Sequence, residues 1–138
     1  MYEYRVKQVL AVVDGDTIDV DIDLGFDISI TKRVRLAGID TPESRTSDKA
    51  EKALGLEVKN LLKETLKKAS NILIKTEKPD SSEKYGRVLG WLYIDGAPDS
   101  INQTLIASGY AWEYMGDTKV KNFELLKQRR EAYGKEQN

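Results

Sequence analysis

The sequence predicts an α+β fold that is mainly β: one five-stranded barrel with about three helices, spanning residues 1–138 as a single domain. Three observations lead there. Asp16 to Leu24 alternates strictly, with Ile18, Val20, Ile22 and Leu24 on one side and Thr17, Asp19, Asp21 and Asp23 on the other, the period of a half-buried strand. A long stretch of helical spacing begins at Asp48, after the third strand-like segment. A chain of 138 residues with 40% apolar content has the size and composition of one ordinary domain.

Taken in order, Val6, Val9 or Leu10, and Val12-Val13 mark the first strand, and Asp14-Gly15-Asp16 supplies a tight reversal into the alternating second. Gly25 ends the second strand, and Ile28 to Leu36 returns beside it to complete a meander. Asp48 with Glu51 reads as a capping-box-like helix start. Ala50, Leu54, Val58, Leu61, Leu62 and Thr65 then keep helical spacing to about Lys68. Asn71 to Thr76 and Val88 to Ile94 are two more strands, separated by the polar loop 77–86. Asp99 or Ser100 caps a short helix that Gly109 stops, and Lys119 to about Gly134 is a last helix burying Phe123, Leu126 and Tyr133. Five strands with a helix after the third match the order of an OB-fold, a barrel that often binds nucleic acids or sugars.

With no cysteine and no histidine, disulfides, thiolate zinc sites and imidazole-based catalysis are excluded, leaving oxygen ligands for any metal. Lys and Arg total 22 against 23 acids, but residues 1 to 31 hold seven acids and two bases, whereas residues 32 to 78 hold seven acids and twelve bases. Neither a secretory leader nor a run of roughly 18 apolar residues is present, so no membrane association is expected, and a full-length chain of this sequence would be cytoplasmic. A monomer is expected.

Two aspartates stand out. Asp16 shares the parity of Ile18, Val20 and Ile22, and Asp40 shares that of Val34 and Leu36, so both carboxylates are predicted to face inward at adjacent strand ends. Such a pair repels itself unless a hard cation with oxygen ligands, calcium first and magnesium second, or a salt bridge to Arg33 or Arg35 relieves it. An EF-hand does not fit the aspartate run. Counting from Asp19, the sixth position is Leu24 and the twelfth Ile30, where that loop needs Gly and Glu. Asp19, Asp21 and Asp23 read as a solvated strand face.

Val13-Asp14-Gly15-Asp16-Thr17, Arg35-Leu36-Ala37-Gly38-Ile39-Asp40-Thr41-Pro42-Glu43 and Lys84-Tyr85-Gly86-Arg87 resemble, in order and spacing, the three signature stretches of the staphylococcal (thermonuclease-like) nuclease family. The resemblance covers nearly the whole chain. It implies a calcium-dependent endonuclease hydrolysing DNA and RNA on the 5′-oxygen side to leave 3′-phosphates. It further implies that Asp16, Asp40 and the backbone carbonyl of Thr41 bind Ca2+, and that Glu43 handles the attacking water. Arg35 and Arg87 would hold the scissile phosphate, and Lys84 and Tyr85 a neighbouring one. The family's second pocket tyrosine falls at Tyr114, with Tyr110 as the alternative.

General chemistry agrees. Without histidine a carboxylate is the natural base, and guanidinium groups meet the charge of an in-line phosphoryl transition state with bidentate hydrogen bonds. Exposed bases would make single strands the better substrate. The chain departs from the strongly basic secreted members in being nearly neutral; Lys32, Arg33, Lys49, Lys52 and the Lys84 loop are its candidate phosphate contacts. A noncatalytic nucleic-acid-binding module is the alternative, disfavoured by intact residues at Asp16, Arg35, Asp40, Glu43 and Arg87. A small-ligand or protein-binding OB domain ranks third.

Overall fold

The structure, a computed structural model, describes residues 2–76, 87–114 and 120–137. Strands β1 (Tyr2–Asp14), β2 (Thr17–Gly25), β3 (Ile28–Leu36), β5 (Ile72–Thr76) and β6 (Val88–Ile94) close a barrel in the order β1-β2-β3-β6-β5. Every pairing is antiparallel except β3 with β6. Helices α1 (Lys49–Lys68), α2 (Ile101–Ala107) and α3 (Phe123–Gln137) surround it, and β4 (Ile39–Asp40) pairs with β7 (Trp112–Glu113) in a separate ribbon. This is the α+β OB-fold.

The first strand shows why its sequence pattern is ambiguous. Val6, Val9 and Val12 stand opposite Ile22, Val20 and Ile18, so steps of three on β1 match steps of two on β2. A register shift between each pair absorbs the extra residue. Such irregularities tighten the twist and bend a long strand around a barrel. They also leave Leu10 exposed.

Strand β2 keeps strict alternation, and Ile18, Val20 and Ile22 are buried as predicted. Leu24 is not. The hairpin end from Leu24 to Arg33 extends beyond the barrel, since β3 meets β6 only over Val34 to Leu36, and its residues are exposed. The aspartates opposite are matched across the ladder: Asp19 by Arg33, Asp21 by the Thr31 hydroxyl, and Asp23 by Arg5. Arg33, expected to be available to phosphate, is thus engaged with Asp19.

Asp48 caps α1 by accepting from the N–H groups of Ala50 and Glu51. The buried face runs through Glu51, Gly55, Val58, Leu62 and Leu66, rotated from the sequence expectation, so that Ala50 and Leu61 are exposed. The reason is Gly55. A Cβ there would collide with the Glu43 carbonyl group, and the bare position brings this side of the helix onto the loop after β4.

On α2, Ser100 forms a capping box with Gln103. The buried Asn102 donates to the carbonyls of Ala37 and Gly90 and accepts from Leu92 N–H, tying the β3–β4 turn to β6. Gly109, with φ +83°, ends this helical segment. The last helix starts at Phe123, and Lys119 lies outside the described residues. Only Leu126 of its expected anchors is buried. Tyr133 is half-buried, and Phe123 rests at the surface with its ring edge-on to Trp112 at 5.3 Å.

Candidate active site

The β1–β2 turn, the end of β3, the segment from Asp40 to Arg45 and Arg87 line one cleft of about 220 Å³. Each element holds its side chain there for a local reason. Gly15 supplies the close approach to α1, since a Cβ on it would meet the Val58 side chain, and the next residue, Asp16, is 9% exposed. The Thr17 hydroxyl donates to Asp16 Oδ1 at 2.9 Å, while the Thr41 hydroxyl and N–H donate to Oδ2 at 3.1 and 3.3 Å. Both carboxylate oxygens are therefore held in place.

Asp40 is set by β4. Its backbone is opposite Trp112, and Tyr114 N–H donates to Gly38 carbonyl at 2.8 Å, fixing the turn that precedes it. Between the aspartates lies Arg35, itself 7% exposed, with Nη1 3.3 Å from Asp16 and Nη2 3.7 Å from Asp40. Of the two means of relieving the acid pair, this structure shows the salt bridge, and its donor is Arg35. Charges this far from water need such pairing, and the remaining hydrogen bonds from Thr17 and Thr41 make it tolerable.

Glu43 reaches the cleft from the other side. Its N–H donates to Glu51 Oε2 at 3.0 Å, and its exposed carboxylate lies 3.5 Å from Lys121 Nζ, which also meets Glu51 at 2.8 Å. Burial pushes the Glu51 carboxyl up, but the Lys121 hydrogen bond, the Glu43 N–H and the Lys121 charge together leave it below the ordinary carboxylate range. The hydrogen bond to Glu51 in turn raises Lys121, against the opposing effect of its own burial. Two acids and one ammonium thus hold the Glu43 loop against the first turn of α1 and the segment before α3.

The structure brings Asp16, Arg35, Asp40, Thr41, Glu43 and Arg87 to this one cleft. Lys84 and Tyr85 lie outside the described residues. Tyr114 stands beside the site, its ring centre 6.0 Å from Arg35 Cζ, whereas Tyr110 sits under Arg130 of α3 at 4.1 Å. Sequence reasoning missed Asp14, Ser44 and Arg45: the Ser44 hydroxyl donates to Asp14, and Arg45 pairs with Asp14 at 3.3 Å. Their signal was adjacency, Asp14 heading the Asp14-Gly15-Asp16 turn and Ser44-Arg45 following Glu43. The Glu51–Lys121 pair had no sequence signal.

The donor set fits a hard cation in chemistry, all of it oxygen, and in charge, with two buried carboxylates at one rim. Among the described residues no third acid converges with them to complete a cluster, because Glu43 is turned toward Lys121.

A closed small barrel carrying paired buried acids and two arginines at its rim defines an OB-fold domain with an ionic cleft. The chain belongs to the staphylococcal nuclease homologue family, whose model matches residues 33–138. Asp16, from the hairpin ahead of that span, completes the cleft. The chain is 31% identical to Protein ParB of Escherichia coli, with 93% of the chain and 68% of that protein covered. It is 32% identical to Endonuclease YncB of Bacillus subtilis, covering 84% of the chain and 53% of the relative. It is 34% identical to the SPbeta prophage-derived endonuclease YokF of the same organism, covering 72% and 31%.

Proposed function

We propose that this domain is a nuclease, hydrolysing phosphodiester bonds of DNA and RNA with calcium, on the 5′-oxygen side and leaving 3′-phosphates. The observation that carries the reading is the convergence of Arg35, Arg87, Glu43 and the Asp16–Asp40 pair on one cleft. Family membership and the two relatives named as endonucleases support it.

Asp16, Asp40 and the Thr41 carbonyl would hold Ca2+, whose charge, when bound, adds Lewis-acid stabilisation of a phosphoryl oxygen. The rest falls to the chain. Arg35 and Arg87 offer forked donors to the equatorial phosphate oxygens as negative charge grows there. Guanidinium groups stay protonated and are poor acids, so both act as charge clamps, and as the P–O5′ bond breaks the leaving 5′-oxygen takes its proton from solvent. Glu43, the most exposed carboxylate of the set, accepts the proton of the attacking water once it leaves Lys121. Tyr114 closes the side of the cleft next to Arg35, and Lys84 and Tyr85 are assigned to a neighbouring phosphate by the family resemblance.

A digest of a fluorescent single strand tests this. Turnover is expected with calcium and none with EDTA. Glu43→Gln is expected to lower turnover by about 10²–10⁴, the usual worth of a positioned base, with an unchanged melt. Retention of the strand without any product, in prolonged calcium, would instead establish a noncatalytic binding module. The Arg35 bridge, which already meets both aspartates, is the feature that favours this second reading.

A further inference from the structure

A groove of about 490 Å³ lies away from the cleft, between β1 and the C-terminal end of α1. It exists because β5 pairs with β1 only over Tyr2 to Arg5, leaving the following stretch of that edge facing the helix. Its walls carry Arg5, Lys7, Lys63 and Lys67, and among the described residues no carboxylate lines it, although the chain as a whole has one acid more than it has bases. Arg5 shares its charge with Asp23 at 3.1 Å, so the three lysines give the groove its sign. Val9, Leu10 and Val12 of β1, with Leu66 and Ile72, give it an aliphatic lining.

The groove and the cleft lie along the same strand. Val12 lines the former and Asp14 the latter. Two residues of extended chain span only ~7 Å. We infer that this groove is a second subsite for the nucleic-acid strand, in which Lys7, Lys63 and Lys67 grip phosphates and the aliphatic lining receives sugars and bases, so that a bound single strand runs from the cleft along β1. The inference rests on reading the cleft as the place of cleavage. It accounts for how a nearly neutral chain gains purchase on a polyanion: the basic residues are concentrated where the strand passes. A single OB barrel commonly covers ~4–16 nucleotides, more than the cleft alone accommodates.

The test compares long and short substrates in a Lys7→Gln/Lys63→Gln/Lys67→Gln variant whose melt matches the parent. A labelled single strand longer than the ~4–16 nucleotides of one barrel, titrated by anisotropy with calcium in the Glu43→Gln background, is expected to bind about tenfold more weakly to the variant. Three lost phosphate contacts at ~0.7 each should shrink the slope of log K against log salt by ~2. With Glu43 intact, cleavage of a two-nucleotide ester should be unchanged, since it reaches only the cleft. Unchanged long-strand affinity and slope would overturn the subsite. So would an equal loss of cleavage on the short ester, or loss of binding to anionic lipid vesicles with strand binding retained. A parent protein that binds the long strand through these lysines yet never cleaves the short ester would instead remove the nuclease reading and leave the groove standing.

Discussion

Four aspartates of one hairpin meet two different fates. Asp16 is buried, and both of its oxygens are met by Thr17, Thr41 and Arg35. Asp19, Asp21 and Asp23 lie on the other pleat face, each answered by a partner across the ladder or on β1. Residue type and neighbouring sequence are nearly the same; only the parity differs. Burial makes the first part of a site, while at the surface Asp19 and Asp23 pair with arginines and Asp21 accepts from a hydroxyl. The difference teaches that the count of charges on a strand says little until the face is known, because the free energy of an ionic pair depends on how far water is excluded from it.

The largest way to break this contrast is to remove the cation on the buried side. Arg35→Met leaves Asp16 and Asp40 without their guanidinium, and a loss of about 3–5 kcal/mol is expected in urea melts, the range for stripping one member of a buried ionic pair. Turnover should vanish with it. Calcium should then raise the melting temperature of the variant more than that of the parent, because the two acids have lost the guanidinium that lies between them. An equal calcium response in both proteins would mean that the pair does not take up the ion.

A middle-sized effect is expected one layer out. Gly55→Ala places a methyl where the Glu43 carbonyl lies, and about 1–3 kcal/mol of overpacking strain is expected. Because the strain falls on the loop bearing Glu43, kcat should drop more than stability alone explains. A variant that melts earlier but turns over normally would show that Glu43 does not depend on this contact.

The smallest effect belongs to the ladder. The hydrogen bond from Arg33 holds the Asp19 carboxyl below the ordinary carboxylate range, against the opposing effect of burial. A carboxyl whose folded pKa is depressed adds stability above its unfolded value of about 3.9 and loses it as pH falls through the lower folded value. Asp19→Asn should therefore be slightly less stable than the parent at neutral pH and equal to it in strong acid, with a shallower decline below about pH 4. Activity should not change. Urea titrations across that acid range are the measurement, and an unaltered slope would remove the Asp19–Arg33 pair from the account.

The sequence made the barrel legible wherever a single period governed it: β2, β3 and β6 follow from alternation and bounding turns, and α1 from its cap. It was least legible where tertiary contacts decided. Three bulges hide the pattern of β1, the Gly55 contact rotates the buried face of α1, and the β4–β7 ribbon consists of strands too short to announce themselves. The site shows the same division. Asp16 and Asp40 stood out by parity, and Arg35 was weighed as their partner. The hold on Glu43 by Glu51 and Lys121 depends on residues far apart in the chain and had no local trace.

The short ribbon has a further bearing on when the molecule becomes competent. Asp40 takes its position through backbone bonds to Trp112, so one of the two acids at the rim is framed by a segment that leaves the ribosome late. A nascent chain halted before Trp112 would carry the early acids without the frame that aligns them.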